Sequence, residues 1–392
     1  MIKKIRFNRS YDALSTIVIF LMALNIRRLE LYIIAGMFCF VLLFKKNKTI
    51  VVNMSIVILF LFSLFYTIII VYKGNYIRTA VLTYFICPIA GYYIGYWLIR
   101  RDNYKCIVQY VLAIAIGRGL HGLLNMIPYL QGEYSGRNPI DFWTGSVLSS
   151  TGAGSLFIMS ASLIYYSISI IEHKRTKGLI ILLFAIASIF GAIQMGTRSC
   201  LIISVVVFVM CILVFTDFKN SVSVKTLIVA IIIIMLIYIA YGINLFDLKV
   251  AFKNSGLYRR MYVYEVESLG ENARWSRQYY MITHLFEYPI GADDLTYTHN
   301  FWLDIARLTG LIPFTISVYL TILLLKSIYN GIISMLVNRS TKILLFSVTI
   351  GTFMIFFVEP VLEGMPSLYI MLIIISAMCE KIKHIKELEK LI

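Results

Sequence analysis

The chain has 392 residues, 60% of them hydrophobic and only 14% charged, with 36 Lys and Arg against 20 Asp and Glu for a formal charge of +16. Soluble domains carry about 25% charged residues, so this composition excludes an ordinary water-soluble enzyme and points to an all-α, polytopic integral membrane protein. The basic excess implies no nucleic acid partner, because membrane proteins gather Lys and Arg in cytoplasmic loops.

Apolar windows near the roughly 20 residues needed to cross a bilayer predict about 12 transmembrane helices. They fall at 11–25, 29–44, 49–72, 79–99, 105–127, 146–171, 178–195, 198–216, 225–246, 299–325, 341–358 and 364–380. The basic start, Met1 to Arg9, leads into an apolar run without an Ala-x-Ala cleavage pattern and reads as a retained first span. With the N-terminus inside, the inner segments hold 22 Lys and Arg, while the short outer loops hold only Arg27, Arg28, Lys73, Arg78, Arg137 and Arg198. Both termini are therefore expected in the cytoplasm. The six cysteines lie in or beside apolar stretches, which disfavours a disulfide framework.

The expected organisation is about nine spans in 1–246, a large, partly helical outer loop at 247–298, and about three spans plus a short cytoplasmic tail in 299–392. Structureless loops of that length are uncommon unless functional. Within it, helical spacing from Ala273 to Tyr288 places Arg274, Arg277 and His284 along one face and Trp275, Tyr279, Ile282 and Phe286 on another. Such a helix either lies on the bilayer surface with snorkelling arginines or presents its cations to a ligand.

Ionisable residues at membrane depth are expensive and mark function by default. In this topology Arg118 and His121, among Gly117, Gly119 and Gly122, lie in the outer half of the fifth span. Arg198 sits in the outer turn Gln194-Met195-Gly196-Thr197-Arg198-Ser199. His299 and Asn300 open the tenth span from outside, with Asp304 and Arg307 one to two turns deeper, and Glu359 and Glu363 flank Pro360 in the last outer loop. Each has a plainer alternative. Asp304 and Arg307 neutralise one another at i,i+3, His121 bonds a neighbouring helix, Arg198 snorkels to lipid phosphates, and the two glutamates are solvated. What these alternatives leave unexplained is that the residues crowd toward one side of the membrane. Fixed guanidinium groups suit a diphosphate, and an imidazole suits deprotonation of a hydroxyl. The sequence has no Asp-x-Asp, Walker A or dinucleotide fingerprint, so neither metal nor cofactor is expected.

Three stretches in this order resemble the O-antigen polymerase and ligase superfamily. They are Gly196-Thr197-Arg198-Ser199 before an apolar span; Arg274, fifteen residues ahead of Pro289 in Tyr288-Pro289-Ile290-Gly291; and His299-Asn300 followed after nine residues by Gly310. Arg259 and Gly270, with ten residues between them, also match a pattern of polymerase loops, whereas Pro313 stands where ligase-like sequences carry a small or hydroxyl residue. The motifs cover about 194–313.

The resemblance implies a multi-pass protein of the bacterial inner (plasma) membrane whose site faces the periplasm or outside. Its activity would be a metal-independent, inverting glycosyl transfer from an undecaprenyl-diphosphate-linked glycan to the terminal sugar of a lipid-linked repeat unit. By the same resemblance Arg198 and Arg274 hold the donor diphosphate and His299 activates the acceptor. Arg277, Arg259, Arg118 and Asn300 are further candidates for substrate binding. The implied partners are the lipid-linked donor and acceptor, the bilayer, and a chain-length regulator. Three alternatives stay open: a ligase that moves the finished glycan to lipid A core, a flippase or transporter with no chemistry, and a noncatalytic scaffold.

Overall fold

Almost every apolar window becomes a helix, because a backbone in lipid must satisfy its own hydrogen bonds. The computed structural model describes residues 2–390 apart from 45–51, 75, 101–102, 136–137, 217–234, 236–242, 245–246, 263–271, 293–294 and 335. The 225–246 window lies largely outside the described residues, as do the side chain of Arg274 and the residue Gly270. Besides helices, the described residues hold one two-residue hairpin, Tyr134–Ser135 with Asn138–Pro139.

Contacts between Cα atoms divide the chain into two compact units: Met1–Gly117, Gly270–Leu345 and Thr352–Ile392 form the first, Arg118–Leu269 and Phe346–Gly351 the second. In chain order the helices are α1 Ile2–Leu24, α2 Glu30–Phe44, α3 Met54–Tyr72, α4 Ile77–Ala80, α5 Cys87–Leu98, α6 Ile107–Leu130, α7 Ser150–Ala161, α8 Ile164–Ile171 and α9 Arg175–Gln194. They continue as α10 Arg198–Phe215, α11 Leu248–Lys253, α12 Gly256–Tyr262, α13 Asn272–Thr283, α14 Phe301–Thr309, α15 Leu311–Ile333, α16 Arg339–Ile355, α17 Val361–Gly364 and α18 Pro366–Lys390.

Among the described residues seven helical stretches are long and apolar enough to cross a membrane: Met54–Tyr72, Ile77–Leu98, Tyr104–Leu130, Gly152–Ile171, Arg175–Gln194, Arg198–Phe215 and Leu311–Ile333. The windows at 29–44 and 341–358 form helices of 15 and 17 residues. Ile77–Leu98 contains a π-helical turn, Val81–Ile86, immediately before Pro88. Proline has no N–H to give to the preceding turn, and the ladder there adopts the wider spacing.

In the first unit α18 is the central strut, with Leu368 to Cys379 almost wholly buried. Small residues let its neighbours approach. Gly91 and Gly95 of α5 lie against Ile370, Ile374 and Ala377, and Gly331 of α15 lies against Cys379. In the second unit α7, α8, α9 and α10 pack on one another. Ser160 of α7 donates to Ser188 of α9 at 2.8 Å.

The 299–325 window is not one span. It breaks at Gly310, whose φ of 81° and ψ of −164° end the nine-residue α14 before the 23-residue α15 begins. The cause is a backbone crossing. Leu311 N–H donates to the Pro289 carbonyl at 3.0 Å and Ala292 N–H to the Arg307 carbonyl at 2.7 Å. A Cβ on Gly310 would collide with Pro289, and Gly291, at φ 90°, has no room for one against Arg307 and Leu308. The Pro-Gly and His-Asn…Gly elements are thus two sides of one junction, and both glycines are there because the strands of chain touch. His299 and Asn300 consequently precede a short helix, and Asp304 and Arg307 belong to that helix.

Candidate functional site

The first unit builds its site around His299. Asn300 caps α14, its Oδ1 accepting from the N–H groups of Trp302 and Leu303 at 3.2 Å each. Asp304, one turn on, reaches back: its carboxylate accepts from Thr298 N–H at 2.7 Å and Asn300 N–H at 3.1 Å. The residue between them, His299, is held at φ 56°. That left-handed conformation is uncommon for a side chain with a Cβ, and it persists only where surrounding bonds over-determine it. Arg307 locks Asp304 in turn, donating from Nε at 3.3 Å, and it also bonds the Leu295 carbonyl at 3.1 Å and the Glu363 carboxylate.

Asp304 and Arg307 do pair, as their spacing suggests, yet the pair also fixes the loop that carries the histidine. Glu359 corrects the expectation of a solvated loop acid, whereas Glu363 keeps an exposed position. Glu359 is fully buried, with Oε2 3.9 Å from His299 Nδ1, and Glu363 is bonded to Arg307. The 356–365 segment is drawn in because Phe301 N–H donates to the Phe356 carbonyl at 2.7 Å and the two rings stack at 4.6 Å. Burial raises the Glu363 carboxyl above its ordinary pKa. The Arg307 charge and hydrogen bond pull it back in part, and the Asp304 charge adds to the rise.

Beside this loop lies a cavity of about 310 Å³, lined by Ser276, Arg277, Tyr280, Met281, Leu295, Thr296 and Thr298. Two anchors seat α13 along it: Gln278 donates to the Thr298 carbonyl at 3.0 Å, and Met281 is buried with Leu303 and Ala306. Trp275, Tyr279, Ile282 and Phe286 are exposed, the amphipathic split that the spacing implies. His284 lies just past the helix end, stacked on Tyr280 at 4.1 Å and within 2.9 Å of the Tyr280 carbonyl. Arg274 is in α13, one turn before Arg277.

The second unit holds the remaining candidates. Arg198 is the first residue of α10, half-buried, after a turn in which Gly196 has φ 67° and Thr197 N–H donates to the Ala192 carbonyl at 2.9 Å. The start of α12 rests on this turn, Gly256 lying against Gln194, Gly196 and Tyr129. Arg259 of α12 donates to Tyr134 Oη at 3.2 Å and to the Asn254 carbonyl at 3.1 Å. Arg118 is buried, at 2% exposure.

The residue that sequence reading missed is Asp141. His121 Nε2 lies 3.0 Å from its Oδ2, and its Oδ1 accepts from Thr144 N–H at 2.9 Å and Thr144 Oγ1 at 2.8 Å. Asn125 accepts from Phe142 N–H at 2.8 Å, so the loop after α6 folds back against that helix. The available signal was Asp141 ahead of Thr144 and Gly145, an Asx-type turn. Burial opposes ionisation of Asp141, but the bonds from His121 and Thr144 outweigh it and hold the carboxyl below its usual pKa.

A depressed carboxyl adds stability above its unfolded pKa of about 3.9 and loses it as pH falls through the lower folded value. Asp141→Asn is therefore expected to destabilise the protein by about 1–3 kcal/mol at neutral pH. The gap to wild type should narrow below about pH 4, as read by thermal unfolding in detergent across pH.

Fold and site together define an all-helical protein whose long apolar helices suit a bilayer, with a restrained histidine in a loop that borders a cavity of about 310 Å³. Compared with models of protein families and with curated proteins, the chain matches none.

Proposed function

We propose that the chain is a polymerase of bacterial surface polysaccharide, such as O-antigen or capsule, in the inner membrane. In this reading it has about twelve spans, both termini in the cytoplasm and the 247–298 loop outside. It transfers a growing glycan from undecaprenyl diphosphate to the terminal sugar of a lipid-linked repeat unit. The observation that carries the reading is His299, fixed in the left-handed region by Asp304 and Asn300, with Glu359 at Nδ1 and the Thr298-lined cavity alongside.

In chemical terms, His299 takes the proton of the acceptor hydroxyl as its oxygen bonds to the donor's anomeric carbon from the face opposite the diphosphate. The bond from that carbon to the diphosphate oxygen breaks, and the electron pair leaves with the diphosphate, inverting the centre. The Glu359 carboxylate steadies the positive charge the ring acquires. Arg198 and Arg274, by the resemblance, take up the charge on the departing diphosphate without any proton transfer.

Purified protein supplied only with lipid-linked repeat units should give a ladder of lengthening products. A product that forms only once lipid A core is added would make it a ligase. Movement of lipid-linked sugar across vesicles with no lengthening would make it a flippase and end the enzyme reading.

A further inference from the structure

Among the described residues of the first unit, the arginines that are partly or wholly buried outside the cavity are paired. Arg100 is paired with Asp12 at 2.5 Å and Arg307 with Asp304 and Glu363. Arg277, half-buried on the cavity wall, has no carboxylate within ion-pair distance and no hydrogen bond among the described residues. Holding a guanidinium partly out of water without an anion is unfavourable, and the fork it presents fits one carboxylate through two parallel bonds. The rest of the lining has two characters. Ser276, Thr296 and Thr298 supply hydroxyls, and Met281 with Leu295 supplies an apolar wall. A pyranose ring has the same duality, hydroxyl edges around a C–H face. A volume of about 310 Å³ is at the small end of ligand sites.

We infer that this cavity binds a sugar ring carrying a single carboxylate, a uronic-acid residue of the glycan, with Arg277 reading the charge. Resting on the polymerase reading, the inference makes Arg277 a specificity residue: it selects repeat units with an acidic sugar close to the reacting hydroxyl. Tyr280, whose Oη is 3.0 Å from that of Tyr288, braces the wall beside it.

The test uses the full chain in nanodiscs and measures the affinity of methyl glucuronide, of methyl glucoside and of inorganic phosphate. Wild type should bind the glucuronide at least tenfold more tightly than the glucoside. Arg277→Gln should bring the two to equal affinity, Arg277→Lys should keep a reduced preference, and Thr296→Trp, which fills the cavity, should lose both sugars. Because Thr296→Trp leaves Arg277 in place, a folding defect in Arg277→Gln would not remove the test.

Equal affinities in wild type, or a preference that survives Arg277→Gln, would overturn the inference. So would inorganic phosphate displacing the glucuronide at equal concentration, which would mark a plain anion site. Since no catalysis is needed, a charge preference without any product ladder would leave the cavity standing and sink the polymerase. A ladder without the preference would do the reverse.

Discussion

His299→Asn is expected to lower chain elongation by about 10²–10⁴-fold, the range for losing a general base, with no loss of thermal stability. Asparagine is the informative replacement because it tolerates the left-handed region better than most residues, so φ 56° and the backbone bonds from Thr298 and Asn300 to Asp304 can persist without the imidazole. His299→Ala should lose the same activity. Glu359→Gln keeps the side chain's shape and should give a smaller loss, since the ring keeps its place but not the carboxylate beside Nδ1. Product length on gels, with unfolding temperature measured in parallel, reads both quantities. Normal chain length in His299→Asn would remove the histidine from the reaction. A lowered unfolding temperature would show that the ring holds the loop together.

Such a comparison is possible because the strain at His299 is set by residues around it. Asp304 accepts from the backbone on either side of the histidine, Arg307 restrains Asp304, and Glu363 restrains Arg307. Substituting Asp304 would therefore release the loop without touching the imidazole, a different lesion from losing the base.

Local pattern made much of the architecture readable. Among the described residues the apolar runs of spanning length became helices, and the spacing of 273–288 anticipated that Arg277 and the aromatic stripe fall on different faces. The Asp304 and Arg307 pair was visible because three residues in a helix put side chains on one face.

What stayed hidden depends on contacts between distant parts of the chain. Hydropathy could not show the break at Gly310, because the Pro289 carbonyl that meets it is 21 positions earlier and the flanking residues are apolar on both sides. Glu359 reads as a solvated loop acid until the Phe301 and Phe356 stack draws its segment inward. Asp141 reads as a turn former until the loop folds back onto His121. In each case a polar residue is identified as interior by its partner, and composition around it carries no trace of that partner.

Arg198→Ala and Arg274→Ala are expected to shorten the surface polysaccharide toward single repeat units, each costing about 10²–10³-fold in elongation if a donor to the leaving oxygens is removed. The argument for Arg198 is the resemblance of Gly196-Thr197-Arg198-Ser199, which the fold sets at the first position of the 18-residue α10. For Arg274 it is the resemblance alone, in the spacing of fifteen residues to Pro289. Arg274→Lys separates geometry from charge: lysine restores the cation but not the fork, so it should remain impaired by about tenfold if the diphosphate is gripped bidentately. Full recovery with lysine would reduce the arginine to a point charge. Protein abundance in the membrane must stay at the wild-type level for either result to count. Unchanged chain length in both alanine variants would refute the diphosphate role of these arginines, whatever the fate of His299.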